Sequence, residues 1–209
     1  MKREDIPKDR PRDPVRTRGV ILSAAKDVLA ERGFATWGVN VIARASGYDK
    51  QMIYRHFGGM DGLAEAVGED VAAALEAALS ARAYATPPRS YAELMSRLAI
   101  ALLDALRGNR LAQRILAWEL ADPGPLATRF ATARDRALSQ WITREKGTIN
   151  RPPGVDAPML NVFMIAGVQQ LVLAAASSGR FLGIDLRDEA GWERARAGIA
   201  AMAEAIYRG

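Results

Sequence analysis

The chain's 209 residues, 49% of them hydrophobic and 25% charged, suffice for one or two domains with a buried core. It has no cysteine and a single histidine, His56, which excludes disulfide frameworks, thiolate or multi-histidine metal sites and Cys-His machinery. Its net charge of +5 lies wholly in residues 1–60, which hold 12 basic and 7 acidic side chains against 17 of each in residues 61–209; a basic end on a balanced body predicts an N-terminal part that meets a polyanion.

The first residues, Met1-Lys2-Arg3-Glu4-Asp5, lack the apolar run of a signal peptide, which predicts a cytoplasmic protein. Residues 1–13 read as a disordered basic arm punctuated by Pro7 and Pro11. Asp13-Pro14 is an N-cap followed by a proline at the first helical position. The stripe of Val20, Ile21, Ala24, Ala25, Val28 and Leu29 then predicts a helix over 14–32, closed by Gly33. Two short helices follow, over about 38–45 and 49–55, separated by Ser46-Gly47 and ended by Gly58-Gly59. Leu63, Val67, Val71, Leu75 and Leu79 recur every four residues, giving a helix over about 61–81.

Thr86-Pro87-Pro88 marks a domain junction. A first domain with its linking helix is therefore expected over 14–81, and a second domain over 84–209. Ser90-x-x-Glu93 is a capping box that opens the next helix, and Asn109 caps a shorter one. Asp122-Pro123-Gly124-Pro125 breaks the chain before a helix that ends at Gly147. An apolar helix spans 157–178 and a last helix about 188–208. The 157–178 segment is about long enough to cross a bilayer, but Asn161, Gln169 and Gln170 mark it as a buried helix of a protein without a membrane span. No alternation long enough for a strand occurs. The fold class expected is all-α: an N-terminal three-helix domain plus a C-terminal helical domain, about nine helices in all.

Two short helices around a glycine turn, at 38–57, form a helix-turn-helix, whose second helix enters the major groove. That helix presents Asp49, Lys50, Gln51, Met52, Tyr54 and Arg55. Lysine, tyrosine and arginine reach phosphates, and glutamine reads an adenine edge. Asp49 is a helix cap or a cytosine reader. His56 either packs at the helix end or touches a phosphate. Arg10, Arg12, Arg16 and Arg18 either are simply disordered or add phosphate or minor-groove contacts.

Gly33-Phe34, Ile42-Ala43-Arg44-Ala45-Ser46-Gly47, Lys50, Ile53-Tyr54-Arg55-His56-Phe57-Gly58 and Asp61-Gly62-Leu63 together resemble the tetracycline-repressor (TetR) family, without gaps over about residues 15–75. The resemblance implies that 39–45 is the positioning helix and 49–55 the recognition helix. It further implies that Lys50 and Tyr54 contact the DNA backbone and that Gln51 and Met52 read bases. Where the family opens its positioning helix with Thr or Ser, this chain has Trp37-Gly38 with Thr36 one place earlier; Thr36 and Gly38 are the corresponding DNA-contact candidates. Met60 stands where the family has lysine. Both departures shift weight onto the arm.

In the second domain, Met95, Trp118, Phe130, Trp141, Phe163 and Met164 either line a ligand pocket or form plain core. Asn161 and Gln169 need a polar partner once buried, and either a ligand or a second subunit supplies it. Trp192, Ala195, Ile199, Met202 and Ile206 are spaced 3, 4, 3, 4, a two-helix seam. With Leu171 they predict a homodimer through the last two helices, a four-helix bundle that the resemblance also implies. The partners expected are operator DNA, a small-molecule effector and a second copy. No cofactor, metal site or catalytic residue is read from the sequence, and no nucleophile elbow or phosphate loop occurs.

Overall fold

In the computed structural model, residues 13–80, 86–121 and 124–207 are described. The arm at 1–13, with Arg10 and Arg12, lies outside them but for Asp13. Nine α-helices occur among the described residues. The chain divides into two compact units, one through Val67 and one from Gly68.

In the first unit, α1 (Pro14–Arg32) begins where Asp13 accepts hydrogen bonds from the Val15 and Arg16 amides, and ends with the Gly33 N–H on the Leu29 carbonyl. A 3-10 turn, Phe34–Thr36, leads to α2 (Val39–Ser46) and α3 (Lys50–Phe57). Each short helix supplies one fully buried anchor, Ile42 or Ile53. With Ile21, Ala25, Leu29 and Leu63, each fully buried, they form part of the unit's apolar core. Trp37, read only as a departure from the family pattern, is buried: its indole N–H donates to the Ala25 carbonyl at 2.9 Å, and its ring meets Phe34 edge to face at 5.9 Å. It fixes the start of α2 against α1. Gly62 allows the next helix, α4 (Met60–Ser80), to pass close to the end of α3; a Cβ there would lie 1.8 Å from the Phe57 carbonyl oxygen.

The second unit is built on α5 (Tyr91–Arg107), which buries ten residues and packs on both α8 (Ala157–Ser177) and α9 (Glu189–Tyr207). Ser90 Oγ caps the Glu93 amide at 3.0 Å, whereas the Glu93 carboxylate takes the Arg89 amide at 2.8 Å rather than that of the cap residue. Asn109 caps α6 (Arg110–Ala121) through the Ala112 amide. Pro125 opens α7 (Pro125–Lys146). Between α8 and α9 the chain forms a hairpin of two-residue strands, β1 (Arg180–Phe181) and β2 (Ile184–Asp185), antiparallel with Phe181 opposite Ile184. Two residues are too few to show an alternation, and so the sequence reading missed them.

A polar clasp joins three helices of this unit. Asn161 Nδ2 donates to the Tyr91 hydroxyl at 2.8 Å, and the Tyr207 hydroxyl donates to Asn161 Oδ1 at 2.6 Å. The two tyrosine rings meet edge to face at 5.1 Å. Arg196 bridges Asp104 on α5 and Glu189 on α9, each at 2.7 Å. The 21-residue helix α8 contains an 18-residue stretch of mean hydropathy 1.7, long and apolar enough to cross a membrane by those two measures alone. It is far from all-round burial: Met164, Val168 and Val172 face inward, while Met159, Val162 and Phe163 are exposed.

Candidate nucleic-acid interface and sensor residues

Helix α3 is amphipathic over two turns. Ile53 is its only fully buried residue, which leaves an exposed face that can meet a ligand. Lys50, Gln51, Tyr54 and Arg55 are exposed, Tyr54 at 56%, and Met52 and His56 are half-buried. Asp49 is the N-cap: its carboxylate accepts the Gln51 amide at 2.9 Å, which favours the capping role over base reading. Gly47, at φ +72°, supplies the left-handed turn between α2 and α3. Gly58, at φ +73°, ends α3 after Phe57, two residues later than the pattern predicts. His56 and Phe57 are thereby helical, on the side opposite the N-terminus, where base contacts are made.

Gly38 is the N-cap of α2 and makes no side-chain cap. Thr36 points its hydroxyl back at the Arg32 and Gly33 carbonyls, at 3.5 and 3.4 Å, and remains exposed. The hydroxyl therefore caps the end of α1 rather than the start of α2. Arg16 is exposed, and the Arg18 guanidinium sits 4.9 Å above the Phe57 ring. This cation-π contact places an α1 cation beside the C-terminal end of α3.

In the second unit the residues proposed for a sensor pocket separate into three groups. Met95, Trp141 and Met164 belong to the packed core. Trp118 and Phe130 stack edge to face at 5.9 Å, and Phe130 borders a cavity of about 20 Å³ that Glu119 and Arg134 also line. That volume holds one water. Glu119 and Arg134 form a largely buried ion pair, and burial pushes the Glu119 carboxyl up from its ordinary pKa against the pull of Arg134. Glu119 Oε1 and Arg134 Nε are buried without a hydrogen-bond partner among the described residues. Asn161 is satisfied on both sides by Tyr91 and Tyr207, so neither ligand nor second subunit is needed to pair it. Phe163 lies at 66% exposure on the outer stripe of α8; Gln169 is half-buried.

The predicted seam is also divided. Trp192, at 3% exposure beneath the Arg107 guanidinium, and Ile199, at 6%, are buried in the chain's own core, so Trp192 has no surface left to offer a second chain. Leu171, Ala195 and Met202, with the edge of Ile199, line an apolar groove of about 300 Å³ between α8 and α9. Ile206 is half-buried against the core.

Residues 21–67 match the family model for bacterial regulatory proteins of the tetR family. No curated protein matches the chain by sequence. Among solved structures, a TetR-family transcriptional regulator from Rhodococcus sp. superposes with a TM-score of 0.62 at 18% identity, over 92% of this chain and 100% of that one. A TetR-family regulator from Mesorhizobium loti MAFF303099 gives 0.62 at 17%, over 95% and 100%. A transcriptional regulator from Streptomyces coelicolor A3(2) gives 0.64 at 17%, over 93% and 99%. The exposed, cationic second helix of a helix-turn-helix and the matched module at 21–67 converge: this chain carries the DNA-binding domain of the bacterial tetR-family regulatory proteins at its N-terminal end, and as a whole it shares the fold of such regulators.

Proposed function

We propose that the protein is a homodimeric repressor that works in the cytoplasm, binds a palindromic operator through α3 and leaves it when a small, largely apolar effector binds the second unit. The observation that carries the DNA-binding part is the face of α3. Lys50, Tyr54 and Arg55 serve the phosphates, and Gln51 and Met52, at the helix N-terminus, read base edges. Arg16 and Arg18 add phosphate contacts from α1.

The dimer rests on α8. Met159, Val162 and Phe163, at i, i+3 and i+4, form an exposed apolar stripe beside the α8–α9 groove, a surface that a second copy buries. A twofold axis then presents two recognition helices to half-sites about one DNA turn apart, or a multiple of it. The effector reading rests on the Trp118, Phe130, Glu119 and Arg134 surroundings. The cavity there holds one water as it stands, so an effector enters only as the surrounding side chains move apart, and it gains by completing the unmet hydrogen bonds of the ion pair. Binding there acts by population shift, favouring dimers that no longer fit the operator.

A promoter reporter carrying the operator tests the repressor role. Deleting the gene raises expression if the protein represses; a fall instead assigns activation. An effector that binds tightly yet leaves operator affinity unchanged overturns the release mechanism.

A further inference from the structure

A second concave feature of the 68–209 unit has a chemistry different from that of the Phe130 cavity. It is an open cleft of about 980 Å³ between α6 and the C-terminal half of α8, closed at one end by the hairpin. Four arginines line it, Arg107, Arg110, Arg114 and Arg180, and no aspartate or glutamate does. Arg107 is engaged elsewhere, paired with Glu189 at 2.7 Å and stacked on Trp192. Arg110 and Arg114, at i and i+4 on one face of α6, are exposed and have no hydrogen-bond or ion-pair partner among the described residues. Arg180 stands opposite Asp185 in the hairpin and interacts with it electrostatically, but the Asp185 carboxylate takes its hydrogen bonds from Arg187.

The backbone reinforces the charge. The positive N-terminal end of α6 opens at the cleft. The last carbonyls of α5, which would repel an anion, are covered by Gln113, whose Nε2 donates to the Leu106 and Arg107 carbonyls at 2.9 and 3.0 Å. Along α6 the lining then changes character. Past Arg114 it is Ala117 and Leu120, and Leu120 is 74% exposed, an unexplained apolar side chain. Leu173 and Ala174 face it from α8. From Arg110 to Leu120 is about 15 Å of helix.

We propose that this cleft binds an anionic amphiphile, with its anionic group on Arg110, Arg114 and Arg180 and its apolar body along Ala117, Leu120 and Leu173. The polarity of the site is read directly from α6: cationic at its start, apolar at its end. A wholly apolar molecule leaves the arginines unused, and a bare anion leaves Leu120 in water. The assignment does not rest on the regulatory reading, because binding is measured on the protein without DNA.

Two fluorescent probes test it. 8-Anilinonaphthalene-1-sulfonate and N-phenyl-1-naphthylamine share one aromatic body and differ by the sulfonate. The full chain is titrated with each in low salt. The sulfonate probe is expected to bind at least tenfold more tightly, and R110Q/R114Q is expected to bring the two affinities within threefold of each other. That variant should keep its neutral-probe affinity and its helical circular dichroism, which together report an intact fold. R151Q, an exposed loop change, should leave the difference in place, and L120N should weaken both probes. Equal affinities in the wild-type chain overturn the proposal. So does a sulfonate preference that R110Q/R114Q leaves untouched, because the anion is then held elsewhere.

Discussion

Replacing Asn161 by alanine removes a side chain that joins α5, α8 and α9 through hydrogen bonds. The carboxamide accepts from Tyr207 and donates to Tyr91, and both tyrosines are buried. A net hydrogen bond contributes about 1 kcal/mol, and a buried polar group left without a partner costs about 1–3 kcal/mol. Asn161→Ala strands two hydroxyls, so a loss of about 2–4 kcal/mol is expected, somewhat reduced if a water enters. Tyr91→Phe and Tyr207→Phe each remove one bond and should cost about 1 kcal/mol. Urea unfolding followed by circular dichroism, at one fixed protein concentration because dimer stability depends on it, gives each value. The clasp also predicts an alkaline signature. Burial, with Tyr91 adding to it, pushes the Tyr207 hydroxyl up to about 12, whereas an unfolded tyrosine ionises near 10. The folded chain holds this proton longer, so the Tyr207 contribution is complete below about pH 10 and is lost between about pH 10 and 12. Tyr207→Phe should flatten that part of the profile. A loss below about 0.5 kcal/mol for Asn161→Ala, or one no larger than that of Tyr207→Phe, would refute the reasoning.

Three further perturbations bear on function and assembly. Lys50→Ala should weaken DNA binding about equally on all sequences and lower the salt slope by about 1. Gln51→Ala should instead relax preference at one base position by about 1–3 kcal/mol; filter binding to a set of single-base variants separates the two. Phe163→Glu places a charge in the exposed stripe of α8 and should shift the sedimentation profile toward monomer while helical content stays constant; an unchanged dimer would place the interface elsewhere. Glu119→Gln and Arg134→Met each break a pair whose side chains are 11% and 19% exposed. Each should cost about 3 kcal/mol, and the double change should return to within about 1 kcal/mol of wild type; additive losses in thermal unfolding would show that the pair is not coupled.

Helix boundaries were legible because their signals are local. Asp13, Asp49, Ser90 and Asn109 bond amides two or three residues onward, and a chain segment carries that information by itself. Partners distant in sequence were not legible. Asn161 finds Tyr91 and Tyr207 across 70 and 46 residues, and nothing in its apolar neighbourhood names them. The 3, 4 spacing of Trp192 and Ile199 marks a packing face, but α5 of the same chain takes that face. Phe163 and Met164 are adjacent in sequence yet point outward and inward, a choice made by where α5 and α9 lie. The charge balance of residues 61–209 was true as an average but concealed Arg107, Arg110 and Arg114. No acidic residue occurs between 105 and 118, and a shorter window would have revealed that cluster.

The most direct measurement is a nuclease footprint of the purified protein on the DNA flanking its own gene. Protection of an inverted repeat is expected, with half-sites about one helical turn apart or a multiple of it, and weaker protection in Gln51→Ala and Lys50→Ala. Protection of a single unrepeated site, or a footprint indifferent to both substitutions, would contradict the reading of α3 as the recognition element of a dimer.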